Sequence, residues 1–511
     1  MPRGINRRDA LKLALAGGVA TMLQACSPHS HPGNSEAVPR FATTLPIPPV
    51  LEPTHSDERR DYYEIEARES AVAILAGKRT TIRAYNVIFP GPTIKTMRGR
   101  ATHIRFTNKL PIPVVTHLHG GHTPSDSDGW PTDVILPAGY QVPATSLQMD
   151  HTRDTGRIAQ ASTAKYEHNY MYPNDRRAAT LWYHDHAMGA TGQNVYMGLA
   201  GFYLVEDEEE HSLPLPRGRY DIPLMICARQ FNDDGSFRYN PHGHAGADGD
   251  VILVNGAPWP ALQVERRKYR FRILNASNAT TFTLALSSAL PFVQIATDGG
   301  LMSRPVEVPR IPMAMAERVE VVIDFSAYAA GDSVVLRNTE KQGPLGEIMR
   351  FDITGPAVSD HGQLSDHLSV IENLRPEAAV RTRTFTLGPR PELKDHFPPI
   401  HWAINGNRFN PEHAQANPHL GDVEIWRFVY EKSLWRQTHP PHIHLVNFQI
   451  LDRDGQAPRD HERGWKDTLR LDSGDDVRVI MRFDGYRGRY LMHCHNLEHE
   501  DYVMMMRFDV V

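Results

Sequence analysis

From Tyr62 onward the chain is a succession of short segments with period-two patterning, broken by Gly, Pro, Asn and Asp. Examples are YYEIEARE, TTIRAYNVIF, THIRFTNKL, GFYLVED, YRFRILNAS, RVEVVIDF, VEIWRFVY and YLMHCH. Alternation of this kind puts successive side chains on opposite faces of an extended strand, and useful helical periodicity is nearly absent. The spacing predicts an all-β chain of stacked sandwiches. A length of 511 residues suits about three domains. Candidate linkers at 206–219 (EDEEEHSLPLPRGR) and around 356–382 give blocks of 60–208, 214–356 and 383–511. The polar, His- and Tyr-bearing segment 141–179 is expected to be a surface excursion on the first block.

Residues 1–26 are an address label. Arg7-Arg8 precede an apolar stretch from Leu11 to Leu23, too short to span a bilayer. The paired arginines resemble a twin-arginine export signal. Leu23-Gln24-Ala25-Cys26 resembles a bacterial lipobox with Cys26 as the lipid-modified residue. Residues 27–59, rich in Pro and Ser, are expected to form a tether and an extended arm. The expected location is the periplasm or cell envelope, with membrane contact only through a lipid anchor at Cys26. A net charge of −5 without a Lys/Arg stripe argues against nucleic acid as a partner. Three cysteines (Cys26, Cys227 and Cys494) exclude a disulfide scaffold. Cys227, in the apolar run PLMICAR, reads as a core residue.

Histidine is the unusual residue. With 27 histidines, chance predicts about 1.4 His-x-His pairs. The chain has six: His29/His31, His117/His119, His184/His186, His242/His244, His442/His444 and His493/His495. The first lies in the tether and the fourth in a loop, and both read as chance. The other four lie in or beside strand patterns, where residues i and i+2 face the same side. Each pair therefore offers two imidazoles to one site.

The C-terminal segment LMHCHNLEHEDYVMM puts His493 and His495 on one face and Cys494 on the other. Cys494, His499, Met504 and His439 make up a thiolate, two imidazoles and a weak thioether, the ligand set of a blue-copper site. Eight histidines remain, too many for one metal and unusual for zinc.

HLHGG (117–121), WYHDHAMG (182–189), HPPHIHLVNF (439–448) and HCHNLEHEDYVM (493–504) together resemble the four copper motifs of multicopper oxidases. DVILVNGAPWP, YRFRILNAS, TDGG and WAING look most like the spore-coat laccase and bilirubin oxidase branch. The resemblance implies three consecutive cupredoxin-like domains, with a trinuclear copper cluster between the first and third. It implies four coppers per chain. Type 1 copper would take His439, Cys494, His499 and axial Met504, and type 2 would take His117 and His442. The type 3 pair would take His119, His184, His186, His444, His493 and His495. Asp128 and Glu500 match acidic positions that assist proton delivery and cluster tuning.

The implied activity couples four one-electron oxidations of a phenolic, aminophenolic or bilirubin-like substrate to reduction of O2 to water. His439 would be the ligand through which electrons arrive, because in the family its imidazole edge faces solvent. The expected partners are a small-molecule reductant and O2, and the expected state is a monomer. The alternative is a metallo-oxidase of Cu(I), Fe(II) or Mn(II). The absence of a Met-rich stretch outside Met504–Met506 weighs against a Cu(I) specialist.

Overall fold

Burial follows the alternation. In the strand Arg60–Val72 the side chains of Asp61, Tyr63, Ile65 and Ala67 are turned inward, and in Ala101–Asn108 those of Thr102, Ile104, Phe106 and Asn108. The computed structural model describes residues 38–137, 166–241, 245–358, 364–390, 401–433 and 436–511. The signal and lipobox, His29/His31, His242/His244 and most of 141–179 lie outside the described residues.

The described strands form six sheets, two per cupredoxin-like domain, and one winding recurs three times. In each domain one sheet opens with a parallel pair: Arg60–Val72 with Ala101–Asn108, Asp221–Arg229 with Lys268–Asn275, and Arg381–Arg390 with Val423–Val429. The facing sheet has its own parallel pair: Gly91–Met97 with Ala200–Glu206, Ala261–Arg266 with Glu347–Ala357, and Ala414–Ala416 with Met505–Val510. Two antiparallel strands complete that second sheet. They are Ala179–Asp185 and Thr116–His119 in the first domain, and Gly488–Cys494 and Pro441–Ile443 in the third. The middle domain uses three, Ser333–Asn338, Phe282–Leu286 and Ile311–Met313. Between the sheets lie aromatic and branched side chains, for example Phe106 and Tyr183, Phe271 and Phe351, and Trp426 and Phe508.

Alternation is lost where both faces of a strand are covered. Ala179–Asp185 is buried throughout, and Gly488–Cys494 from Tyr490 on. One face of each packs on its own sandwich, and the other meets a neighbouring domain.

The candidate linker at 206–219 carries structure of its own. Asp207 caps the short helix Glu208–Ser212, its carboxylate accepting from the Glu210 N–H at 2.8 Å. Glu210 then turns inward, 2.9 and 3.0 Å from Arg270 and 3.1 Å from Arg272. Glu320 and Asp221 complete this buried ion group. Thr180 of the first domain donates to Glu320 at 2.7 Å, which ties the two domains together. One expectation needs correction, that of a surface excursion over 141–179. Its end, Glu167–Tyr172, is a sheet strand antiparallel to Ala101–Asn108, with Tyr170 and Tyr172 buried. The arm before the first domain is bonded to two domains: Leu45 N–H donates to Ala261 and Leu51 N–H to Thr93, both at 2.8 Å.

Breaking a buried ion pair leaves an uncompensated charge and costs about 3–5 kcal/mol. Glu210→Ala should therefore lower stability by about that amount in urea denaturation. Glu208→Ala, on the exposed side of the same turn, should change it by less than about 0.5 kcal/mol. Equal losses in the two variants would show that the buried group is not the source.

Candidate metal centres

Strand register assembles the histidines. In the first domain His117 lies opposite His184 and His119 opposite Trp182. In the third domain His442 lies opposite His493 and Pro441 opposite Cys494. His186, His444 and His495 follow two residues after a histidine of their strand, just past the strand end. The two domains bring these ladders face to face. His119 stacks on His442 with ring centroids 3.6 Å apart, and His117 on His444 at 3.9 Å.

The eight rings divide into local groups. His119, His184 and His495 converge on one point, and His186, His444 and His493 on a second. His117 and His442 meet at a third, with their Nε2 atoms 3.4 Å apart. In the second group the His493 Nε2 is 3.3 Å from that of His186 and 3.2 Å from that of His444. Trp182 walls the first group, stacked on His184 at 4.2 Å and tilted against His119 and His495.

Outer partners fix most of these rings. The Nδ1 atoms of His117, His184, His442 and His493 lie 2.5, 2.8, 2.9 and 3.1 Å from the backbone carbonyls of Asp128, Asp185, Asp467 and Cys494. His444 Nδ1 is 2.7 Å from Asp128 Oδ2. Glu500 reaches two rings of the second group, 3.2 Å from His493 Nδ1 and 3.5 Å from His186 Nδ1. Burial pushes the imidazoles of His117, His119, His442, His444 and His495 well below their ordinary range, His184 to about 3 and His186 to about 4. Rings held this far from their ordinary basicity keep a lone pair for a cation. The two carboxyls are pushed apart. Burial raises Asp128 well above the usual range, whereas the His186 and His493 rings beside Glu500 outweigh burial and hold it low.

On the other side of the strand Cys494 Sγ is 3.5 Å from His439 Nδ1 and 3.6 Å from His499 Nδ1, and the two nitrogens are 3.2 Å apart. His499 sits on the helix Leu497–Asp501, whose cap Asn496 accepts from the His499 N–H at 3.3 Å. Met504 is buried against this group by its backbone. Its N–H donates to the His499 carbonyl at 2.9 Å and its carbonyl accepts from Cys494 at 3.0 Å. The expected solvent-facing edge of His439 is not found. The ring is fully buried, with Trp402 packed edge-on at 4.5 Å and Tyr430 at 4.6 Å.

Copper fits these donors. Buried ring nitrogens stand without a hydrogen-bond partner, among them His119 Nδ1, His184 Nε2 and both nitrogens of His495, and on each ring one lone pair is free to meet a cation. A soft thiol beside two imidazoles and a thioether suits copper, and a bound metal would draw off the thiol proton. Three residues near the rings carry no motif signal: Asp467 and Thr468, each 3.1 Å from His119 Nε2, and Arg318, paired with Asp467.

Sequence profiles of multicopper oxidases match residues 66–154, 155–210 and 383–511. A laccase of Bacillus stratosphericus is 39% identical over 92% of this chain and 99% of its own length. A bilirubin oxidase of Albifimbria verrucaria is 35% identical over 93% of this chain and 82% of its own. Among solved structures, a laccase from Pediococcus acidilactici superposes with a TM-score of 0.80 at 28% identity, covering 93% of this chain and 95% of that one.

Cys227 and Cys494 are both fully buried, and burial raises both thiols. Thiolate is the reactive form, so neither should react with a disulfide reagent in folded, metal-free protein lacking residues 1–26. Both should react in denaturant. Prompt labelling of either in the folded state would contradict the packing.

Proposed function

The chain belongs to the multicopper oxidase family, and on that premise we propose that its buried donors hold four coppers in three kinds of site. Cys494, His439, His499 and Met504 would hold one. His117 and His442 form the second, and the two three-histidine groups form a pair. The enzyme is a laccase-like copper oxidoreductase with O2 as acceptor. Copper at these positions supplies one-electron acceptance beside Cys494 and reduction of O2 to water among the eight histidines, at the expense of phenols, aminophenols or bilirubin-like molecules.

The chain's own residues perform the rest. Cys494 is the sequence neighbour of both His493 and His495, so a short run of covalent bonds joins the two sides of the strand. None of the twelve proposed ligands is more than 1% exposed, so water is excluded from both sides. Water formation also consumes protons. Asp128 is suited to hold one, with Oδ1 buried and unbonded and Oδ2 against His444. Glu500, held low, keeps a negative charge beside two rings whose ligand strength it increases.

The observation that carries this reading is the Cys494 triad back to back with the histidine groups. Cys494→Ser should abolish the intense thiolate-to-copper absorption and substrate oxidation, while circular dichroism stays unchanged. Metal analysis of the loaded wild type should give about four coppers per chain. A retained blue band in the serine variant, or stoichiometric zinc in the wild type, contradicts the assignment.

The proposal extends to location. The Arg7-Arg8 motif and the lipobox support export to the periplasm or envelope, as a monomer held by a lipid at Cys26. Mass spectrometry of native protein should find an acylated Cys26 at the N-terminus. Ser27 first would remove the anchor, and an intact Met1 would remove export.

A further inference from the structure

We infer that Asp467, locked by Arg318, sets the tautomers of His119 and His442, so that the middle domain fixes the eight-histidine site without contributing a ligand to it. This rests on the multicopper reading above.

The ring partners give the first argument. His117, His184, His442, His444 and His493 each turn Nδ1 outward to a carbonyl or carboxylate. His119 is reversed. Its Nε2 lies 3.1 Å from Asp467 Oδ1 and 3.1 Å from Thr468 Oγ1, and its Nδ1 is the buried atom without a partner. Arg318 donates to both Asp467 oxygens through its two terminal nitrogens, at 2.6 and 2.5 Å, so the carboxyl group meets His119 as an acceptor. With both oxygens already taking hydrogens from the guanidinium, the partner at Oδ1 has to donate, so His119 Nε2 carries the hydrogen and Nδ1 the lone pair. The backbone carbonyl of the same residue accepts from His442 Nδ1 at 2.9 Å, which leaves Nε2 as the His442 lone pair. One residue thus orients two stacked rings from different domains in opposite tautomers.

The placement of Arg318 gives the second argument. It lies on the middle-domain strand Arg318–Asp324 and is fully buried. Its Nε donates to the Thr180 carbonyl of the first domain at 2.9 Å, on the strand that carries His184. Its Nη2 also donates to the Asp298 carbonyl at 3.1 Å. Lys466 joins the group, 2.9 Å from Asp298 and 3.0 Å from Glu317. A lysine cannot reach Thr180, Asp298 and both Asp467 oxygens at once, whereas the guanidinium fork does. Gly120, directly after His119, clears the space. A Cβ there would lie 2.7 Å from Arg318 Nη2 and 2.8 Å from Asp467 Oδ2.

The test is copper retention in Asp467→Asn and Arg318→Lys. Loaded proteins are dialysed against a graded copper chelator, and copper per chain is read beside the thiolate-to-copper absorption. Loss of an outer partner costs about 10–100-fold in metal affinity. Cluster copper should therefore leave both variants at about 10–100-fold lower chelator concentration, with the blue absorption per chain unchanged. The unchanged colour separates positioning from general loosening, because the Cys494 site lies across the strand. Retention within about twofold of wild type in either folded variant overturns the inference, as does a fall in colour parallel to the copper loss. If Asp467→Asn gives no folded protein, Arg318→Lys, which keeps the buried charge, decides alone. Wild type with fewer than about four coppers overturns the multicopper reading itself, and this inference with it.

Discussion

Everything in this molecule depends on eight buried imidazoles meeting at the seam between its first and third domains, two pairs of them stacked across it. Taking polar rings out of water is tolerated only when their nitrogens find partners. Outer nitrogens do so in carbonyls and carboxylates, but several inner ones do not. Each orphaned nitrogen costs about 1–3 kcal/mol. The metal-free fold therefore carries a standing penalty at its centre, which the surrounding sandwiches must offset. Binding a cation removes that penalty, and this is the physical meaning of a preorganised site.

The threefold winding shows why the site lies where it does. Ligands occupy the two antiparallel strands of the second sheet in the outer domains. The equivalent strands of the middle domain, SVVLRN and FTLAL, carry no histidine. That domain contributes rigidity instead. Arg270 and Arg272 grip the linker helix through Glu210, and Arg318 reaches the seam. Buried arginines replace ligands as the reason for its place in the chain.

The sequence announces what is local. Period-two spacing made each His-x-His pair legible, and it separated Cys494 from His493 and His495 because adjacent strand residues must face opposite ways. The split of six histidines into two groups of three was not legible. It depends on which loops leave which strand ends once two domains meet. Asp467 had no signal at all, since a single Asp acquires meaning only when Arg318 and His119 arrive beside it. The acidic run at 206–210 marked a linker, but the inward turn of Glu210 was not legible, because a charge that neutralises a buried arginine looks the same in sequence as a charge in water. His439 misled for a related reason: Trp402 closes over it from an earlier strand, together with Tyr430.

His117 and His442 touch across 325 residues of chain. Contacts of such separation form late in folding, since the loop must close before the contact contributes. His439, Cys494 and His499 span only 60 residues and belong to one sandwich. The thiolate site can therefore take shape while the domains are still undocked, and the histidine seam is the last part of the molecule to exist. A complete chain whose first and third domains have not yet docked therefore presents a soft cation with the Cys494 group alone.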